Sequence, residues 1–383
     1  MIAAIKMLML AVLGLQVAPA PPPAAFVGSA ACARCHAPTY ARWQRTRMAN
    51  VVRDPASHPD AIIPDFRVPD PLVTFTTDQI AFAYGSKWKQ RYFTRKGDDY
   101  LPLPAQWDVT ARLWRPYDVA RPTGEACDGC HSVNYNVATK TVTEWNVGCE
   151  RCHGPGGEHV ARPSAANIVN PARLDPVSAN DTCIQCHSEG QPLAAPHDSR
   201  TFSWPVGFQM GRKLRDFWQL DAPIAGTEST LHFADGTGRE NRMQGNDFVQ
   251  SVMYTRGVTC FSCHDPHGSG NPSELAKSTR LVCLTCHGPK SPNGPHTQTI
   301  EAHTHHRTGS PGSECINCHM PAIQKVIGDQ HVRSHTFKFI PPSATEAQKV
   351  PNPCTTCHAD KTPAWAAAAL RSWPEFSPWR VAP

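Results

Sequence analysis

Aromatic residues are scarce in this chain of 383 residues, where Phe, Trp and Tyr together make up 8%. That scarcity, beside 37 prolines and 25 glycines, argues against an interior packed only by side chains. It predicts turns and irregular backbone over much of the length. Beyond the first twenty residues no stretch is apolar enough to cross a bilayer, which takes roughly 20 apolar residues in succession. No cysteine stands alone: all 16 fall into one repeated unit. That excludes a disulfide framework, which would not impose a single three-residue spacing throughout.

The start, "MIAAIKMLMLAVLGLQVAPAPPPAAF", has a positive residue at Lys6 and an apolar run from Met7 to Val17. Ala18-Pro19-Ala20 follows as a small-residue cleavage site. The pattern reads as a cleaved secretory signal peptide over residues 1–20, because eleven apolar residues are too short for a spanning anchor. The expected location of the mature chain is the periplasm or another extracytoplasmic space, with the membrane touched only peripherally.

The repeated unit is Cys-x-x-Cys-His, present eight times. Its copies are Cys32/Cys35/His36, Cys127/Cys130/His131, Cys149/Cys152/His153, Cys183/Cys186/His187, Cys260/Cys263/His264, Cys283/Cys286/His287, Cys315/Cys318/His319 and Cys354/Cys357/His358. This is the attachment signature of c-type haem. Two thiols add across the vinyl groups of one porphyrin, and the next residue is then held beneath the iron as its proximal ligand. A zinc ribbon pairs one Cys-x-x-Cys with another and needs no histidine after each. A thioredoxin-like site uses one pair beside a βαβ unit. The expected cofactor set is therefore eight covalently bound haems c. With so few residues per haem, the macrocycles should replace the ordinary core. The expected fold is mainly α with much irregular coil, a small β-hairpin insert and stacked haems at the centre.

The formal net charge of the chain is +5. Two propionates per haem would bring the balance to about −3 when oxidised and about −11 when reduced, so the basic sequence is no evidence for nucleic-acid binding.

Motif positions divide the chain. The first cysteines at 127, 149 and 183 and those at 260, 283 and 315 form two triplets of nearly equal spacing. The expected organisation is a signal peptide (1–20), a first haem segment (21–70), a β-hairpin insert (71–120), a module for haems two to four (121–198), a wrapping loop without haem (199–256) and a module for haems five to eight (257–383). Aromatic and β-branched residues around Gly85 and Lys96-Gly97 point to the hairpin or meander. Short helices are expected in "PTYARWQRTRMANVV" and "KTPAWAAAALRSW".

Eleven histidines lie outside the motifs: His58, His159, His197, His232, His267, His296, His303, His305, His306, His331 and His335. His159 and His267 sit just past a motif, on turns bearing glycine or proline. His303, His305 and His306 precede the seventh motif, and His335 precedes the eighth. A histidine donated from one module to another's iron would cross-link distant segments.

The segments "NVGCERCHGPGGEHV", "GVTCFSCHDPHG", "CINCHMP" and "PNPCTTCHADKTPAWAAAAL" resemble the multihaem cytochrome c family. That family is similar to the superfamily of pentahaem nitrite reductase, hydroxylamine oxidoreductase and its tetrahaem acceptor, and to tetratricopeptide-associated cytochromes. The resemblance implies distal ligands at His159, His267, His306 and His335. It also sets Met48 and Met253 where relatives carry histidine, so that His/Met ligation is expected there. This chain has no Cys-x-x-Cys-Lys unit, the motif that carries the catalytic haem of pentahaem nitrite reductase.

The expected function is electron transfer in respiration, from a quinol-oxidising membrane donor to a downstream reductase or acceptor. The alternatives are an oxidoreductase acting on a small nitrogen or sulfur compound at one open haem, and a subunit of an extracellular cytochrome filament.

Overall fold

The computed structural model describes residues 25–193 and 201–373, apart from 289, 293, 295 and 296. The signal-peptide segment 1–20, His197 and His296 lie outside the described residues. Helices are short, as the proline content requires. The first, α1 (Ser29–Trp43), is the longest at 15 residues. It carries the first motif and leaves helical geometry at His36 (φ −114°, ψ 35°), two residues before Pro38. Proline lacks an N–H and clashes with the preceding turn, so the kink falls there.

The β insert is larger than a hairpin. Five strands, β1 (Val52–Arg53), β2 (Phe82–Tyr84), β3 (Lys89–Lys96), β4 (Asp99–Asp108) and β5 (Leu113–Pro116), form one antiparallel sheet in chain order. Its first strand lies upstream of residue 71, in the stretch assigned to the first haem segment. β3 and β4 join through a two-residue turn with Lys96 opposite Asp99, and Gly97 takes φ 62°, a conformation that costs glycine nothing. Alternation gives the sheet two apolar faces. One packs Ala83, Tyr92, Ala105 and Trp114 under Phe75 and Ile80. The other packs Val52, Phe82, Tyr84 and Phe93 against Tyr100, Trp145 and Cys127 of the second motif. The sheet is thus a platform for the second attachment site.

The stretch read as a wrapping loop holds buried anchors between short elements. Phe202 and Trp204 cluster with Cys130 and Cys186, and Leu214 and Trp218 with Ile184. Trp204 Nε1 donates to the Gly124 carbonyl at 3.0 Å. Its ring lies so close to Gly129 that a Cβ there would stand 1.9 Å away. A second hairpin pairs Ala322–Ile327 with Gln330–Arg333, beside a small core of Phe233, Ile323, Ile340, Ala344 and Val350. Among the described residues no helix is long and apolar enough to cross a membrane.

Candidate haem-binding centre

The motifs sit on short helical turns. Cys149–His153, Cys315–His319 and Pro353–Cys357 are helices of five residues each. Residues three apart share one helix face, so both thiols of a motif point the same way and the histidine follows on the next step. Side chains pin these turns. Asn352 Oδ1 accepts from the backbone N–H groups of Cys354 (3.0 Å) and Thr355 (3.1 Å). Buried Glu150, inside the third motif, accepts from Val27 N (3.0 Å), Gly28 N (2.7 Å) and Gly156 N (2.6 Å). Glu144 accepts from the Ser29 amide at 2.9 Å and hydroxyl at 2.7 Å. Two carboxylates thereby fasten the start of α1, and with it the first motif, onto the third.

Four pairs of imidazoles face each other. His36 and His159 have ring centroids 6.4 Å apart at 12°, and His153 and His267 are 6.1 Å apart at 18°. His303 and His319 lie at 6.3 Å and 7°, and His306 and His358 at 6.3 Å and 36°. Two imidazoles bound through Nε2 to one metal, each at about 2.0 Å, hold their centroids about 6 Å apart. Each pair joins one motif histidine to one from outside the motifs.

The sixth motif departs from that arrangement. It occupies the end of a longer helix, the nine residues Thr279–His287, and His287 is the last of them. His287 is half-buried and belongs to none of the four facing pairs. Its expected role as an iron ligand therefore rests on the Cys283-x-x-Cys286-His287 spacing and not on an opposed imidazole. The physical reason is its place at a helix end, where chain geometry sets the proximal histidine without fixing what stands across from it.

The other ring nitrogen is occupied in the way ligating histidines require. His153 Nδ1 donates to the Val169 carbonyl (2.8 Å), and His159 Nδ1 to the Ser164 carbonyl (3.0 Å). His306 Nδ1 lies 2.6 Å from the Thr304 carbonyl, and His264 Nδ1 2.9 Å from that of Ser273. Each leaves Nε2 with its lone pair for a metal. His335 follows the pattern, with Nδ1 on the Arg333 carbonyl at 3.0 Å. Its backbone amide donates to Asp247 (2.9 Å), which also receives Gln324 Nε2 (2.8 Å) and Ser334 Oγ (2.6 Å). Burial, with His264 and His187 adding smaller effects, pushes His335 down to about 4. The structure therefore brings His335 beside the fourth and fifth motif histidines.

His303, facing His319, stands outside the expected ligand set. Its signal is the doubled spacing in "HTHH". The helix Ile300–Thr304 presents His303, and His305 then turns left-handed (φ 53°), so His306 is delivered to a different motif. His305 instead stacks on Trp373 at 4.3 Å. Met48 opens the turn Met48–Asn50, and Met253 lies in the short helix Val252–Thr255; both are half-buried.

The second motif has other surroundings. The ring against His131 is the phenol of Tyr84, 5.6 Å away at 55°. The Tyr84 hydroxyl donates to Asp128 (2.8 Å), as does that of Thr123 (2.7 Å). Burial, then Arg242 and Arg91, pushes His131 down to about 4. Arg91 lies over the Tyr117 ring at 4.1 Å, and Arg242 Nη2 donates to the carbonyls of Ser188 (2.9 Å) and Ser203 (3.0 Å). Lys89, buried beside Arg91, is lowered to about 8 chiefly by that burial.

The residues present fit covalent haem. From Val252 to Met320, across three motifs, Ser313 alone is buried among the described residues. A stretch this long cannot hold itself together without an apolar interior, and eight macrocycles bound to sixteen thiols would provide one. The paired imidazoles stand at the span one iron bridges.

Comparison with known proteins agrees. Residues 254–292 match the doubled CXXCH motif family, and residues 114–154 match the cytochrome c554 and c-prime family. The chain is 23% identical over 226 residues to the multiheme cytochrome MtrA of Shewanella baltica, covering 54% of this chain and 63% of that protein. It is 20% identical to the dissimilatory sulfite reductase MccA of Wolinella succinogenes, covering 78% of this chain and 51% of that one. The chain thus spans between half and two thirds of the curated relatives it matches. In fold it is similar to the outer cell wall cytochrome OcwA (TM-score 0.75, 22% identity, 91% of this chain and 86% of that one). It is also similar to an undecaheme cytochrome from the S-layer of Carboxydothermus ferrireducens (TM-score 0.55, 19% identity, 92% and 61%). Motifs, matched families and fold together make this chain a member of the multihaem c-type cytochromes, carrying covalently bound c-type haem.

Proposed function

We propose that the chain is an exported octahaem cytochrome that passes electrons between protein partners outside the cytoplasm. The observation that carries this reading is the set of four facing imidazole pairs at 6.1 to 6.4 Å, a spacing that suits irons with both axial positions filled. Such irons exchange electrons without binding substrate. All sixteen motif cysteines would form thioethers, and the eight motif histidines, His287 among them, would be proximal ligands. His159, His267, His303 and His306 would close the axial positions opposite His36, His153, His319 and His358. His335 serves the fourth or fifth site, and Met48 and Met253 remain the candidates for His/Met ligation. When bound, haem supplies the one-electron redox chemistry; the chain orients imidazoles through their Nδ1 bonds and excludes water around them. Relatives described by their names as cell-wall, S-layer and multiheme cytochromes support this reading and an extracytoplasmic location.

Two measurements test it. Intact mass should show eight haem additions on a chain cleaved near Ala20. Magnetic resonance of the oxidised protein should show predominantly low-spin irons, with at least four assignable to histidine pairs. A colourless protein, or mostly high-spin irons, would refute it.

One observation favours a second reading at one site. His131 packs against a phenol, with Lys89, Arg91 and Arg242 close by. That surrounding suits a haem whose distal side takes a small anion, as an oxidoreductase of nitrogen or sulfur oxyanions needs. The relative named as a sulfite reductase supports it. A single high-spin signal that changes on adding sulfite or nitrite, and is lost in an Arg242→Met variant, would establish this reading beside the first.

A further inference from the structure

The sulfurs of the attachment cysteines meet across motifs that are not always consecutive. Cys32 and Cys149 are hydrogen-bonded neighbours, as are Cys283 and Cys315. Cys130 and Cys186 are a third such pair. In that pair Cys130 Sγ approaches the Gln185 carbonyl at 3.8 Å, and Cys186 Sγ the Cys130 carbonyl at 4.0 Å. Cys183 and Cys260 form a fourth, bracketed by Asn180, whose Oδ1 accepts from Cys260 N (2.8 Å) and Sγ (3.2 Å). At longer electrostatic reach, Cys152 meets Cys186 and Cys183. Cys263 likewise meets Cys283 and Cys286, and Cys318 meets Cys354 and Cys357.

Every motif but one therefore links into a file: first to third, third to fourth, fourth to fifth, and onward to the eighth. Among the described residues the second motif meets only the fourth, and its histidine has His187 as its one imidazole neighbour. Thioethers fix the vinyl edge of each macrocycle at these sulfurs, so sulfurs in contact bring macrocycle edges into contact. We infer that the chain threads its attachment motifs in the spatial order 1-3-4-5-6-7-8, with the second motif as a spur on the fourth, held between the Cys130–Gln185 and Cys186–Cys130 contacts. The inference deepens the electron-transfer reading and rests on it for its functional meaning. Electrons crossing from the first motif to the eighth need not visit the second. Cys35 and Cys357 at the two ends are exposed, as is Cys286 midway, whereas Cys130 on the spur is buried.

The test compares two holoprotein variants, Cys127→Ser/Cys130→Ser and Cys183→Ser/Cys186→Ser, each expected to lose one haem by mass. Redox titration followed by absorbance and magnetic resonance should find one remaining haem shifted in potential in the first variant and three in the second. Equal numbers shifted in the two variants would overturn the order. Because the second variant removes a central junction and can fail to fold, an experimental structure of the unaltered holoprotein decides independently. The macrocycle on the fourth motif should touch three others and that on the second motif one; contact between the second and the first, third or fifth would overturn it. Finding this order in a protein that exchanges no electrons with any second cytochrome would sink the electron-transfer reading and leave the arrangement standing.

Discussion

The five-stranded sheet and the stretch from Val252 to Met320 are built on opposite principles. Inside the sheet unit, Trp114 meets Phe66 at 5.3 Å, Trp107 at 5.3 Å and Tyr92 at 5.5 Å, and Tyr92 is wholly buried. Side chains alone make that interior. Between Val252 and Met320 the only buried side chain among the described residues is that of Ser313, yet three attachment motifs lie there. A scarce supply of aromatics is concentrated where no motif lies, and the motif-rich part relies on its prosthetic groups. Stability in this protein has two sources that can be separated.

Blocking haem attachment should give the largest effect. In the apoprotein, amide hydrogen exchange from Val252 to Met320 should reach the unprotected rate, because no side-chain interior remains to hold that stretch. The sheet from Val52 to Pro116 should be the last part to lose protection. Persistent protection between Val252 and Met320 would break the comparison.

Trp114→Ala attacks the other source. Truncating a buried aromatic costs about 3–5 kcal/mol, and denaturant unfolding of the holoprotein should show that loss. Haem content by mass should stay unchanged, since Trp114 packs in the apolar cluster that holds no motif residue. A variant that lost haem would mean that the two sources are not separable.

Asp128 tests the seam where the sheet meets the second motif. Burial pushes its carboxyl up to about 6, against an ordinary 3.8, while Thr123 and Tyr84 oppose the shift. The folded state thus holds this proton to higher pH than the unfolded chain does. The ionisation cost is absent below about pH 4, grows as pH rises towards 6, and is then at most roughly 3 kcal/mol. Asp128→Asn should therefore gain on the native protein between pH 4 and 6 in thermal unfolding. A parallel pH dependence in the two proteins would rule this out.

His303→Ala and His306→Ala should have the smallest and most local effects. Each is expected to convert one low-spin signal in the oxidised protein, and the two signals should differ, because His303 faces His319 and His306 faces His358. Loss of the same signal in both would mean that only one of them is a ligand.

The attachment chemistry could be read from the chain because it is local: two thiols and a histidine within five residues need only one helical turn. The sheet was foreseen only in part. Its turn at Lys96-Gly97 is legible, but β1 is two residues long and pairs with Tyr84 and Ala83 across a long connection. "HTHH" shows spare histidines without showing that a left-handed His305 separates their destinations.

The sequence by itself determined which atoms hold the pigment, since thioether spacing is a property of neighbouring residues. Which imidazole faces which iron, and which motif adjoins which, only the tertiary structure decided. His153 meets His267, and Cys32 meets Cys149, across more than a hundred residues of chain. Such encounters depend on how Glu144, Glu150, Asn180 and Asp247 fasten distant turns together, and no spacing within a motif encodes that.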